Sequence, residues 1–348
     1  MAKQATTLWR ESASVIILTR AKITEWTSDF KILLLRRSEN ATFMPKSSVF
    51  PGGVIESSDA SSHWLQYFQN FGLPKQRLMD LTRFRSRHRR YTESGEDLEK
   101  EISLRITAIR ETFEEVGVLL CRNKQNICDP NPFGRFKEDF DRVHWQHVIH
   151  HDAAQFLVLC KDLEVVPDLW RLHEWSAWLS PSTIKKRFET TFYIVALEET
   201  PNVIIEKNEA MDCSWKTSLE YLKYFLNNEI SLAPPQFYEL SRLQNFSELD
   251  KLIQFAKERA EYGTTLFLPV QYKCTDGIVS LLPGDDLYPK DPSNIVELKE
   301  TGITTEEFRA NVNKLHRAEY LNNSDTLLHL NLKPLDGHLA PASVTCRI

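Results

Sequence analysis

Between Ala108 and Leu120 the chain reads AIRETFEEVGVLL, and no other stretch restricts the fold as tightly. Glu111, Glu114 and Glu115 stand at i, i+3 and i+4, which on a helix places them within one arc. Leu98, Ile102, Ile106, Ile109, Phe113 and Val116 recur at steps of 4, 4, 3, 4 and 3 and form an apolar stripe on the opposite side. The spacing predicts a helix beginning near Glu96, anchored by one face and presenting carboxylates on the other. Gly117 reads as its C-terminal cap, so three acids crowd the last two turns, at the negative end of the macrodipole. Each acid costs roughly a few tenths of a kcal/mol there, and no Lys or Arg in the final turn compensates. A solvated acidic face accounts for most such glutamates. A rule broken three times at one helix end points instead to a site, where a cation would relieve the repulsion.

The rest of the chain supplies the frame. With 348 residues, 42% of them hydrophobic, it can bury one large core with a sizeable extension. Its net charge of −5 gives no nucleic-acid footprint over the whole chain, so action on an anionic substrate would need metal ions or local basic groups. The six cysteines, Cys121, Cys128, Cys160, Cys213, Cys274 and Cys346, include no Cys-x-x-Cys pair. They read as reduced thiols of an intracellular protein. The longest aliphatic runs, Val15 to Leu18 and Ile32 to Leu35, are strand-sized, so no membrane span is expected. Nor does the N-terminus show the apolar region of a signal peptide.

Ser14 to Thr19 and Lys31 to Arg36 read as a hairpin or neighbouring strands, and Pro51-Gly52-Gly53 as a turn where the backbone can approach something closely. Residues 60–95 differ in character. Trp64, Leu65 and Phe68 suggest a short helix. Arg83, Arg85, Arg87, Arg89 and Arg90, with His88, form either a phosphate-binding patch or a solvated basic loop. Asp129 to Arg135 is a loop. His147 and His151, at i and i+4, have zinc-ligand spacing but no third ligand at motif distance. Trp175 and Trp178 read as core, and Phe188 to Leu197 as a central strand. Pro201 to Trp215 carries Glu206, Glu209 and Asp212 on a loop and short strand. Thr217 to Asn227 is helical, Pro234-Pro235 breaks the pattern, and Ser247 to Tyr262 is an amphipathic helix. Leu266 to Leu282 forms two strands around Asp276-Gly277.

Gly53, Asp59 and Arg110-Glu111-Thr112-Phe113-Glu114-Glu115-Val116-Gly117-Val118 together resemble the Nudix box: Gly, five residues, Glu, seven residues, then Arg-Glu-U-x-Glu-Glu-x-Gly-U with U aliphatic. The chain departs from it with Thr112 at a U position, Asp59 in place of Glu, and 50 residues between Asp59 and Arg110. A long insert here resembles the branch of Nudix hydrolases acting on coenzyme A and acyl-CoA in peroxisomes. Phe43-Met44-Pro45, Trp175 to Pro181, Pro234 to Leu240 and Leu281 to Tyr288 are similar to that branch as well. Lengthening a loop costs only about 0.6 kcal/mol per doubling, so the insert is tolerable, as a lid, a specificity element or a mobile loop.

The resemblance implies an α/β fold, a Nudix αβα sandwich with a mixed β-sheet over residues 10–217, with an α+β C-terminal extension, 218–348, packed on it. It implies that Glu111, Glu115 and Glu114 bind Mg²⁺ or Mn²⁺ with the carbonyl of Gly53, or alternatively that Glu111 is the general base. Arg110 would orient the glutamates. Glu209, with Glu206 behind it, is the candidate acid from a later loop. The implied products are 3′,5′-ADP and (acyl-)4′-phosphopantetheine, while the residues that bind the substrate are not legible. Other readings are a Nudix hydrolase of ADP-ribose, a dinucleotide or capped RNA, and a silent Nudix-like binding module. Cys346-Arg347-Ile348 resembles a relaxed peroxisomal address read by the import receptor. The expected location is therefore the peroxisome, otherwise the cytoplasm or mitochondrion.

Overall fold

The structure, a computed structural model, describes residues 9–22, 28–41, 43–83, 86, 98–207, 209–310, 312–322 and 325–342. Its first two strands, β1 (Arg10–Arg20) and β2 (Phe30–Arg37), are antiparallel, with Leu18 opposite Ile32. Each carries a continuous apolar run, Val15 to Leu18 and Ile32 to Leu35, as expected of strands covered on two faces. Alternation then divides them between two cores. Val15, Ile17, Leu33 and Leu35 enter one, while Ile16, Leu18, Ile32 and Leu34 enter the other. This is the helix–sheet–helix sandwich the sequence implies.

The chain continues through β3 (Ser47–Val49) and β4 (Gly52–Val54), with β4 antiparallel to β1. The insert follows. Helices α1 (His63–Phe71) and α2 (Lys75–Met79) bury Trp64, Phe68, Phe71 and Leu78 in the first core. The Tyr67 hydroxyl is 2.7 Å from the carbonyl oxygens of both Cys160 and Val165. The described part of the insert is thus packed core rather than a lid. Ser86 is buried, its hydroxyl 2.7 Å from that of Thr264. Arg85, Arg87, His88, Arg89 and Arg90 lie outside the described residues, as do Cys346-Arg347-Ile348.

Helix α3 (Lys100–Val116) lays Ile102, Ile106, Ile109 and Phe113 on the first core. Strands β5 (Leu119–Arg122), β6 (Phe136–Lys137) and β7 (Val166–Pro167) form a small sheet around α4 (Arg142–His151) and α5 (Gln155–Asp162). Strand β8 (His173–Leu179) runs antiparallel to β9 (Phe188–Leu197), and β9 runs parallel to β1, so β9 is the central strand expected. Strand β10 (Ala210–Lys216) pairs with β2. Helix α6 (Ser218–Leu226), β11 (Ser231–Leu232), α7 (Pro234–Leu243), α8 (Leu249–Ala260) and β12 (Leu266–Phe267) follow. Phe237, Leu240, Leu252 and Ile253 cover the second core. Among the described residues the main sheet has the order β11-β3-β2-β1-β9-β8-β12, with β10 on β2 and β4 on β1.

Pro234-Pro235 opens a helix rather than ending order. Proline is tolerated in the first turn, where the backbone N–H has no intrahelical partner anyway. The expected hairpin is present as β13 (Val270–Cys274) and β14 (Gly277–Leu281). It belongs to a second sheet with β15 (Lys299–Glu300), β16 (His316–Leu321) and β17 (Thr326–Leu330). Helix α9 (Thr305–Ala310) packs on it, Phe308 against Tyr272. The sheet is tied to α7, where Tyr238 Oη lies 2.8 Å from His316 Nε2. Among the described residues no helix is long and apolar enough to cross a membrane.

Candidate active site

The helix of the carboxylates begins at Lys100, a turn later than its pattern suggests, and ends on Gly117 at φ 67°. The left-handed conformation there suits glycine. No basic residue occupies its last turn. The helix does not lay its glutamates open to water: Glu114 and Glu115 are each 6% exposed, and Glu111 is half-buried. The Gly52-Gly53 turn lies over them. Gly52 N–H donates to Glu115 Oε2 at 2.8 Å. A Cβ on Gly53 would come within 2.4 Å of Glu111 Oε2, which is the close approach the Gly-Gly pair suggests. A Cβ on Gly52, at φ 151°, would lie 2.3 Å from the backbone oxygen of Ala13.

Arg110, 2% exposed, organises the cluster. Its Nε and Nη2 each donate at 2.8 Å to the two oxygens of Asp59. Its Nη1 donates to Glu111 at 3.0 Å and to Glu114. Asp59 also accepts from Thr107 Oγ1 at 2.9 Å and from Glu56 N–H at 3.0 Å. The side chain shorter by a methylene therefore still makes a bidentate pair with the arginine.

One buried guanidinium does not neutralise the carboxylates around it. Burial pushes Glu111 up to about 8 despite the pull of Arg110, with Glu114 and Glu209 adding to the rise. Glu115 is pushed well above the ordinary range by burial, then by Glu209 and Glu111. Glu114 and Glu209 are raised by burial as well. Glu209 stands 3.3 Å from His150 Nδ1, and Glu114 3.8 Å from the same nitrogen. Glu206 is outside the cavity lining, its backbone N–H donating to Glu115 O at 3.0 Å.

Glu111, Glu115, Glu209, Gly52 and Gly53 line one end of a cavity of about 720 Å³. Arg37 lines it too, its Nε without a hydrogen-bond partner among the described residues and its charge lowering both Glu115 and Glu209. Sequence reasoning missed Arg37 and His150. They come from β2 and α4 and meet the cluster only through tertiary packing, so no local spacing marks them. The four histidines of α4 do not form a metal site. Among the described residues no group of three His, Cys, Asp or Glu side chains is already drawn together as a metal cage.

The sandwich is that of the Nudix proteins. A Nudix hydrolase from Alicyclobacillus acidocaldarius superposes with a TM-score of 0.54 at 19% identity, covering 72% of this chain and 97% of that one. Family models described as the NUDT19 Nudix domain and the NUDT19 C-terminal domain match residues 9–243 and 271–331. The protein named acyl-coenzyme A diphosphatase NUDT19 is 35% identical in Xenopus laevis, over 97% of this chain and 96% of that protein. Its human counterpart is 34% identical over the same shares. The chain belongs to the NUDT19 family of Nudix hydrolases. A protein named putative nudix hydrolase 7 from Caenorhabditis elegans is 25% identical over 82% of this chain.

Proposed function

We propose that the chain is a metal-dependent diphosphatase cleaving coenzyme A and acyl-CoA into 3′,5′-ADP and (acyl-)4′-phosphopantetheine. The observation that carries this is the cavity itself. Its charged lining, Glu111, Glu115, Glu209 and Arg37, belongs to one cluster, and most of the remaining wall is apolar. Such a cavity suits a substrate with an anionic diphosphate at one end and an apolar group at the other. Similarity to the proteins named acyl-coenzyme A diphosphatase runs nearly end to end and so supports the same substrate class.

The donor set fits a hard divalent cation. Glu111, Glu114, Glu115 and Glu209 are oxygen donors, buried or half-buried and raised in pKa, with Arg110 already shared among three carboxylates. Glu111, Glu114, Glu115 and the carbonyl of Gly53 would hold it, Mg²⁺ and Mn²⁺ both suiting carboxylate ligands. A divalent ion, when bound, offsets phosphoryl charge and acidifies water. The chain's own residues do the rest. Asp59 fixes Arg110, and Arg110 fixes Glu111 and Glu114. Gly52 N–H orients Glu115, and Arg37 adds a positive charge to the wall where the diphosphate would lie. Phosphoryl transfer to water asks little covalent chemistry of a protein beyond such placement.

The test is a substrate panel of coenzyme A, an acyl-CoA, ADP-ribose and NADH, with Mg²⁺ and with EDTA, products separated by chromatography. The expected result is metal-dependent release of 3′,5′-ADP from the two CoA compounds. Turnover confined to ADP-ribose or NADH would refute the substrate. No turnover of any compound would leave a silent binding module.

A further inference from the structure

At the end away from the glutamates, the cavity is closed by the C-terminal sheet. Gln271 on β13 stands opposite Ser280 on β14, Ser280 opposite Ala318 on β16, and Ala318 opposite Leu328 on β17. All four line the cavity. Residues opposite one another in antiparallel strands share a face, and the period of two adds Leu282 and Tyr320 to it. Both of these also line the cavity. The reverse face carries Val270, Val279 and Leu281, which form their own small core with Tyr272 and Phe308. One face of this sheet therefore turns Gln271, Ser280, Leu282, Ala318, Tyr320 and Leu328 toward the cavity.

The position of that face relative to the glutamates follows from the register. Val54 on β4 stands opposite Ser12, Ser12 beside Thr190, Thr190 opposite Trp178, and Trp178 beside Phe267 on β12. From β4 to β8 is three strand spacings, about 14 Å, and β13 begins just after β12. The Thr183 hydroxyl donates to Gln271 Oε1 at 2.9 Å, which fastens the loop after β8 to the sheet. On that loop Ile184, and at its end Phe188, face the same cavity. Among the described lining residues the charged ones are Arg37, Glu111, Glu115 and Glu209, all at the carboxylate end. The far end has apolar surface and neutral polar groups alone.

We propose that this face of the C-terminal sheet, with Ile184 and Phe188, is the site of the acyl chain of acyl-CoA, and that Ala318 and Leu328 set the chain length accepted. The inference rests on the proposed CoA substrate. An apolar chain gains by leaving water in proportion to the surface it buries, and here the apolar wall is continuous with the diphosphate end. Ala318 is the smallest side chain in the rank, so enlarging it shortens the space. Leu328, at the end of the rank, deepens the space when truncated.

The experiment compares kcat/KM for octanoyl-CoA, palmitoyl-CoA and free CoA in the wild-type chain, Ala318→Trp and Leu328→Ala, with far-UV circular dichroism as the folding control. The expected result for Ala318→Trp is a fall of about tenfold or more in the ratio of octanoyl-CoA to CoA. For Leu328→Ala it is a rise in the ratio of palmitoyl-CoA to octanoyl-CoA. Unchanged ratios in folded variants overturn the proposal. If Ala318→Trp does not fold, Leu328→Ala decides alone. If the wild-type chain hydrolyses no CoA compound, the proposed function has failed, and calorimetric binding in EDTA judges the acyl site separately. Octanoyl-CoA binding about tenfold tighter than CoA supports the site, and equal binding overturns it.

Discussion

Asp59, Glu111 and Glu114 share the guanidinium of Arg110, and Glu115 is held instead by a backbone N–H of Gly52. The glutamates were legible in the sequence because their spacing is local: one helical turn brings i, i+3 and i+4 together. Asp59 was legible only by resemblance, and its bidentate grip on Arg110 follows from the fold. Arg37, His150 and Glu209 arrive from three other elements, so only Glu209 could be named beforehand, as a loop acid of uncertain use. The two glycines of the turn are expected to respond differently to alanine. Gly53→Ala meets the flexible end of Glu111, which can swing aside, so the fold survives and turnover drops roughly 100-fold or more as the carboxylate leaves its place. Gly52→Ala meets backbone at Ala13 O and is expected to lower the melting temperature first. Steady-state kinetics beside thermal melts separate the two. Normal activity in Gly53→Ala would show that the placement of Glu111 does not matter.

At the scale of the element, α3 shows what periodicity can and cannot say. Its apolar stripe and its glycine cap were readable, whereas its burial on nearly every side was not. The carboxylate face meets little solvent because the β4 turn, α4 and the loop before β10 close over it, leaving Glu111 and Glu115 open only toward the cavity. That closure gives a pH dependence of definite sign. Glu111, Glu114 and Glu115 are all raised above the ordinary glutamate value of 4.5, Glu111 to about 8, chiefly by burial. The folded chain therefore holds protons that the unfolded chain has released, and this part of the stability is lost as pH rises from about 4.5 toward 8. In EDTA the melting temperature is expected to fall between pH 6 and pH 8. Saturating Mg²⁺ is expected to recover most of the loss, since a ligand of the folded state stabilises it by mass action. A melting temperature that rises over that range without metal would contradict this account of the buried cluster.

Over the whole molecule, the main sheet was the most legible part, because runs such as Val15 to Leu18 are apolar at every position and must be covered twice. The insert was recognisable by its length, and its first helix by Trp64, Leu65 and Phe68. That Trp64 and Phe68 complete the first core depends on contacts with Phe156 on α5 and with Trp170, far along the chain. The second sheet was legible only as its first hairpin, since the pairing of β14 with β16 joins residues some forty positions apart. The cavity belongs to the whole molecule, with Glu111 and Glu115 from the first half of the chain, Glu209 from the second, and its far wall from the last quarter. The central claim is that this carboxylate end performs the chemistry, and Glu115→Gln tests it most directly. Glutamine keeps an oxygen to accept from Gly52 N–H, so the melting temperature in EDTA should hold or rise. The measurement is kcat for coenzyme A at saturating Mg²⁺ in this variant against wild type. A loss of roughly 100-fold or more in a folded variant is the expected result, and near-normal turnover would contradict the assignment of the site.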